Sequence, residues 1–278
     1  MQLVELLQMI LRDGILGFLV GILIGLTGIG GGAVIQPILI IGLGLSPVAS
    51  VGTGLLFAMV TKIGGAVTHI RMRNIRPRRT LFFLCGSVPS VLIAPYAVNR
   101  LISQYGATIV NHYLQCGMAL VMLATAVFML LQHLFLKETL ETEAQVYCRS
   151  GPFPLRQKLA TIASGGVIGA LIGATSIGGG VLIIPVMLWL NAGIAEAVGS
   201  SLVISLLLSG LGSLVYLIEG HIQLQTVATL SLGSIPGVIL GSRLTRRIPE
   251  RILLVIVMIL VTASGICLLI HSLFFART

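Results

Sequence analysis

A chain of 278 residues that is 56% hydrophobic and only 9% charged, with a mean hydropathy of +1.08, lies far below the roughly 25% charged residues of soluble domains. It reads as an integral membrane protein, and at about 20 apolar residues per crossing it has room for roughly six to eight membrane segments and no soluble domain. The net charge of +9 would point to nucleic acid in a soluble protein, but here the cations cluster in short loops and act as topology signals, so no nucleic-acid partner is expected.

Taken in order, residues 14–26 form an apolar helix, able to begin as early as Leu3, with Gly17, Gly21 and Gly25 on one face. Before it, Met1 to Asp13 lacks a basic stretch followed by a cleavage site, so no removed signal peptide is expected. A break at 28–32 is followed by a short apolar segment from Ala33 to Leu43. Spans are then predicted at 50–70, 80–98 and 108–136, with five arginines (Arg71, Arg73, Arg76, Arg78, Arg79) in the first intervening loop. Residues 137–158 are polar and read as a linker. The order then recurs: a helix at 159–175, a break at 176–180, a short segment at 181–190, and spans at 197–218, 226–242 and 252–275.

The recurrence is a duplication. A shift of 148 residues brings Gly17, Gly21, Gly25, Thr27, Gly30, Gly31, Gly32 and Pro37 onto identical residues. Beyond the next loop a shift of 147 pairs Val51-Gly52 with Val198-Gly199, Gly65 with Gly212, and Gly86-Ser87-Val88-Pro89 with Gly233-Ser234-Ile235-Pro236. A shift sustained over so long a stretch is stronger evidence of a repeat than any single motif.

Charge fixes the orientation of the halves. The loop at 71–79 is arginine-rich while its counterpart at 219–225 has no Lys or Arg, and the next pair of loops reverses this, with Arg100 alone against Arg243, Arg246, Arg247 and Arg251. If short cationic loops stay cytoplasmic, equivalent loops lie on opposite sides and the repeat is inverted. An odd number of crossings per half follows when each broken pair is a hairpin returning to its own side. The expected fold is all-α and polytopic: two inverted repeats (1–136 and 159–278), each a broken hairpin plus three spanning helices, joined by a cytoplasmic linker at 137–158. Both termini are expected outside the cell membrane.

Gly and Pro disfavour helix interiors by about 1 and about 3 kcal/mol relative to Ala, and hydrocarbon offers no partners to a broken backbone. Matching breaks in two halves point to a transport site where the breaks meet. The short helix after each break begins with free N–H groups and the positive end of its dipole, which suit an anion. Pro37 and Pro185 are expected in the first turn, where a missing N–H does little harm. The candidate donors are backbone groups at Gly30, Gly31, Gly32, Gly178, Gly179 and Gly180, hydroxyls of Thr27, Thr175 and Ser176, and the Gln36 amide. Thr53, Ser200 and Ser201 form a second layer whose hydroxyls either bind the anion or bond their own helix. Lys62 is the lone cation within a span and an intramembrane charge is a candidate functional group, although it lies near enough to the arginine loop to reach the interface. The glycines at 17, 21, 25 and at 165, 169, 173 read as packing surfaces. Glu196 reads as an N-terminal helix acid or a proton carrier, and the five histidines as interfacial.

Nothing resembles a catalytic set. Cys85, Cys116, Cys148 and Cys267 are scattered, with no metal-binding spacing; no cofactor or metal is expected, and no nucleotide-binding motif is present.

The twin segments Gly25–Pro37 and Gly173–Pro185, the Gly52-Thr53 and Gly199-Ser200 positions, and the Gly86–Pro89 and Gly233–Pro236 segments together resemble the TauE/SafE family over nearly the whole chain. The resemblance implies secondary transport, chiefly export, of sulfite or organosulfur anions across the plasma or inner membrane, with protons as the coupling ion. A non-transporting subunit, a membrane enzyme handling a sulfur species and a passive anion channel are the alternatives. A homo-oligomer is compatible with the sequence.

Overall fold

The computed structural model describes residues 2–27, 32–71, 77–135, 155–177, 179–189, 194–245 and 250–275. These residues build ten helices and no strand among them: α1 (Gln2–Thr27), α2 (Gly32–Pro37), α3 (Pro47–Arg71), α4 (Pro77–Tyr105), α5 (Ala107–Phe135), α6 (Leu155–Thr175), α7 (Gly179–Trp189), α8 (Ile194–Ile218), α9 (Leu224–Thr245) and α10 (Glu250–Phe275). Six of them, α4, α5, α6, α8, α9 and α10, are long and apolar enough to cross a membrane. The all-α polytopic expectation holds.

Boundaries shift for local reasons. No breaker interrupts residues 99–105, so α4 continues to Tyr105 where a loop was expected, and the turn into α5 reduces to Gly106 at φ +85°. α6 starts inside the expected linker. Pro37 and Pro185 fall in the second turn of α2 and α7 rather than the first. A proline there lacks the N–H that would pair four residues back, and after Pro37 the helix widens into a π turn over Ile38–Gly42.

The glycine faces decide which helices touch. A methyl group at Gly17, Gly21 or Gly25 of α1 would run into the backbone carbonyls of Leu230, Ser234 and Val238 on α9. Equivalently, Gly165, Gly169 and Gly173 of α6 lie against the backbone of Phe83, Ser87 and Val91 on α4. Each half's first helix therefore packs on a spanning helix of the other half, and residue numbers rise together along both contacts, so these pairs run parallel. The faces are glycine on both sides: Gly233, Gly237 and Gly241 meet α1, and Gly86 meets Ile162 of α6. Backbones this close are possible only without side chains.

Repeat mates instead run antiparallel. Along α3 and α8, Gly52 meets Tyr216, Leu55 meets Gly212 and Met59 meets Gly210. Along α5 and α10, His112 bonds Ser272 at 3.2 Å and Gln115 the Leu268 carbonyl at 3.1 Å, while Met122 and Leu123 lie against Gly265.

These registers set the path of α7. The Tyr216 hydroxyl near the end of α8 reaches the Gly173 carbonyl near the end of α6, so α6 and α8 point the same way. Gly179, opening α7, sits by Ser205 in mid-α8, and only residues 190–193 separate α7 from the start of α8, so α7 returns between them. α2 does the same beside α3, where Gln36 bonds Ser50. The helix ends next to the arginine-rich segments and the linker then share one end of the bundle. Those segments carry thirteen of the seventeen Lys and Arg residues.

Candidate substrate site

The second hairpin's turn is built from groups that the end of a helix leaves over. The Ser176 N–H still bonds the Ile172 carbonyl at 2.8 Å. The Gly173 carbonyl instead accepts from the Tyr216 hydroxyl at 3.0 Å. Thr175 donates to the Leu171 carbonyl at 2.6 Å and accepts the Ile177 N–H at 3.2 Å, so its hydrogen is spent on its own helix and its oxygen serves the break. Ser176 turns the chain at φ +58°, the left-handed region that non-glycine residues seldom adopt. Its hydroxyl is buried and has no hydrogen-bond partner among the described residues. A buried hydroxyl in that state costs about 1–3 kcal/mol, a cost that a ligand accepting its hydrogen removes.

The first hairpin meets this turn. Gly32 lies against the Ser176 carbonyl, with no space for a methyl group. Gly54 of α3 lies beside the Ser176 hydroxyl and the Gln36 amide nitrogen. Gln36 is fully buried and its amide is clasped by one residue: its nitrogen donates to the Ser50 carbonyl at 3.2 Å and its oxygen accepts from the Ser50 hydroxyl at 2.8 Å.

Lys62 is 5% exposed, and its terminal nitrogen sits against Gly179, with Ser205 beside the same face of that glycine. The lysine does not reach the interface. The register of α3 on α8 brings Lys62 close to the point where the two repeat mates cross, and so close to mid-bundle. Ser201, Ser205, Ser209 and Ser213 are all buried and spaced by four, which places them in one column on α8. The hydroxyls of Ser205 and Ser213 donate to their own helix at the Leu202 and Gly210 carbonyls. Their oxygens are left as acceptors.

Of the residues singled out in the sequence, the structure brings together Gly32, Gln36, Ser176, Gly179 and Lys62, with Gly180 next in α7. Thr53 lies elsewhere: its hydroxyl accepts the Gln223 N–H at 3.2 Å, in the turn into α9. Ser200 and Ser201 are buried on α8. Gly30, Gly31, Gly178 and the side chains of Thr27 and Glu196 lie outside the described residues. Sequence reasoning missed Tyr216 and, beyond Ser201, the serine column. A serine every fourth residue along an apolar span was the available signal for the column. A polar cluster at the α5–α10 contact was also missed, where Cys116 meets Ser272 at 3.0 Å and Gln115 meets His271 at 2.9 Å. Among the described residues no group of three His, Cys, Asp or Glu is placed to hold a metal ion.

A bundle of apolar helices with broken segments at its centre defines a polytopic membrane protein of the transporter class. Comparison with known proteins narrows this. The family model described as "Sulfite exporter TauE/SafE" matches residues 14–268, and the chain belongs to that family of membrane transporters. Among similar relatives, "Probable membrane transporter protein YjnA" of Bacillus subtilis (strain 168) is 34% identical over 92% of this chain and 98% of its own. "Probable membrane transporter protein YunE" of the same organism is 28% identical over 93% and 96%. No solved structure matches the chain.

Proposed function

We propose that this protein is a secondary transporter that exports a small anion, sulfite or an organosulfonate, and that the anion binds at mid-membrane where the two hairpin tips touch. The observation that carries the reading is the left-handed turn at Ser176: its hydroxyl is buried without a partner among the described residues, it abuts Gly32 of the other hairpin, and the Lys62 side-chain nitrogen lies three residues further on at Gly179. The first N–H groups of α7 have no partner within their helix and add the positive end of its dipole. A hydroxyl donor, backbone donors and one cation, with no buried carboxylate beside them among the described residues, form an environment for an oxyanion. Thr27, Gly30, Gly31 and Gly178 belong to the same reading by their place in the two breaks.

The antiparallel registers of α3 with α8 and of α5 with α10 support an inverted repeat, and with it hairpins that enter from opposite faces. The collection of cationic segments at one end of the bundle supports placing that end in the cytoplasm and both termini outside. Protons are the coupling ion in this reading, as the family resemblance implies.

The test is flux by the purified chain in liposomes, with sulfite, sulfoacetate and isethionate as the anions. Uptake or efflux of at least one of them is expected, and Gly30→Leu and Gly178→Leu are expected to abolish it while monodisperse protein is still recovered from membranes. Wild-type flux in both variants would remove the site from the breaks. Flux that appears only with an added partner would favour the subunit reading instead.

A further inference from the structure

We infer that Lys62 is the group that couples anion movement to protons: its amine is neutral in the empty site and takes up one proton together with the anion. The inference rests on the transport reading and adds to it the identity of the proton carrier.

Asp13 and Lys62 are the only charged side chains buried among the described residues. Asp13 is on α1, bound by the Arg12 guanidinium and the Thr229 hydroxyl, each at 3.1 Å, in a contact between α1 and α9. Lys62 has no carboxylate within ion-pair distance among the described residues. The elements around it offer none: α7 presents Gly179 and α8 presents Ser205. The titratable groups of α8 are Glu196, whose side chain lies outside the described residues, and Tyr216, whose hydrogen is committed to the Gly173 carbonyl; Glu219 and His221 lie beyond the end of that helix.

A charge buried without a partner is strongly penalised, and a protein escapes the penalty by neutralising the group or by pairing it. At Lys62 the two escapes correspond to two states of a carrier. The empty site holds the free amine, whose N–H groups face acceptor oxygens such as that of Ser205, left free because its hydrogen goes to the Leu202 carbonyl. The loaded site holds the ammonium against the anion. Written as a step, the amine plus one proton plus one anion gives the ammonium–anion pair; release reverses it, and the proton leaves from the lysine nitrogen. A monovalent anion then moves without net charge, and the direction of flow follows the combined anion and proton gradients rather than the membrane potential.

Arginine separates this role from simple attraction, because a guanidinium keeps its charge at any working pH. Lys62→Arg should still exchange anion for anion at a reduced rate, while flux driven by a pH gradient falls at least tenfold. Lys62→Met should lose both. The experiment uses the full chain in liposomes loaded with a pH-sensitive dye, with the potential clamped by potassium and valinomycin, and whichever of sulfite, sulfoacetate and isethionate moves fastest. Comparing wild type with Lys62→Arg on the same anion cancels any proton carried by the anion itself. The expected result is one more proton per anion in the wild type. An unchanged proton-to-anion ratio in Lys62→Arg, or pH-driven flux retained in Lys62→Met, overturns the inference and leaves the transporter standing. No flux of any of the three anions by the wild type overturns the transport reading and this inference with it. Should the variants fail to fold, the wild type alone decides: the apparent Kd of the anion, read by thermal shift, should rise with pH by up to tenfold per unit, and a Kd independent of pH between 6 and 10 overturns the proposal.

Discussion

The crossings of α1 on α9 and of α6 on α4 are chemically the same contact made twice, whereas the two hairpin tips share little beyond their glycines. At the crossings, three glycines spaced by four lie against the backbones of equivalent residues: Leu230, Ser234 and Val238 in one, Phe83, Ser87 and Val91 in the other. At the tips, the first hairpin is clasped to its own half by Gln36 and Ser50, but the equivalents are Ile184 and Ala197, which can make no such bond. The column Ser201, Ser205, Ser209 and Ser213 of α8 corresponds to Gly54, Ala58, Lys62 and Ala66 of α3. Duplication kept the scaffold because close helix packing admits few solutions. The tips were free to diverge, and the divergence left one cation, Lys62, beside Ser205 of the serine column at Gly179.

The largest expected effect tests the shared part. Gly21→Leu and Gly169→Leu each force a side chain into a backbone, where nothing flexible can yield, so the cost should exceed the usual ~1–3 kcal/mol of overpacking. Both variants should yield little monodisperse protein by size-exclusion chromatography, and to a similar degree. A large loss in one and a mild loss in the other would show that the two crossings differ in weight.

The next effect separates the tips. Gly32→Ala places a methyl against the Ser176 carbonyl, which is backbone, while Gly179→Ala meets the free end of Lys62, which can swing aside. Displacing a built site by about 1 Å can cost up to about 10²-fold. Gly32→Ala should therefore reduce anion flux at least tenfold, and Gly179→Ala by only a few fold, through the shifted ammonium. Equal losses would mean that both glycines serve only to let backbones pass.

Much of the scaffold was legible in the sequence because its cause is local. Small residues every fourth position mark a packing face, and a glycine triplet ahead of a proline in an apolar run marks a break. The partner of each face was not legible: nothing in the spacing of Gly17, Gly21 and Gly25 says that α9 of the other half lies against them. The site was harder to read for the same reason. Thr53 was singled out as a hydroxyl at a helix start, but its oxygen is taken by the Gln223 N–H of a segment 170 residues away. Lys62 was visible as a lone cation, yet its distance in sequence from the arginine loop suggested an escape to the interface that the α3–α8 crossing closes. Tyr216 was passed over because an aromatic in an apolar span reads as filling, and only the carbonyl left free by the break at Gly173 gives its hydroxyl a purpose.

The smallest expected effect bears on why the first hairpin has a clasp at all. Gln36 and Ser50 are both fully buried, so removing one partner strands the other, at about 1–3 kcal/mol. Ser50 keeps a second acceptor, the Pro47 carbonyl at 2.7 Å, so Gln36→Leu should cost less than Ser50→Ala. The double variant, Gln36→Leu with Ser50→Ala, approximates the apolar pair Ile184 and Ala197 that the second half already uses. Residues in contact are non-additive by about 0.5–3 kcal/mol, so its melting temperature should lie above that expected from the sum of the single losses. If the clasp matters only for stability, flux in the double variant should track the recovered stability. If it holds the first hairpin rigid while the second moves past Lys62, the double variant should regain its melting temperature and still transport slowly, because Ile184 and Ala197 would then mark the mobile hairpin and Gln36 and Ser50 the fixed one.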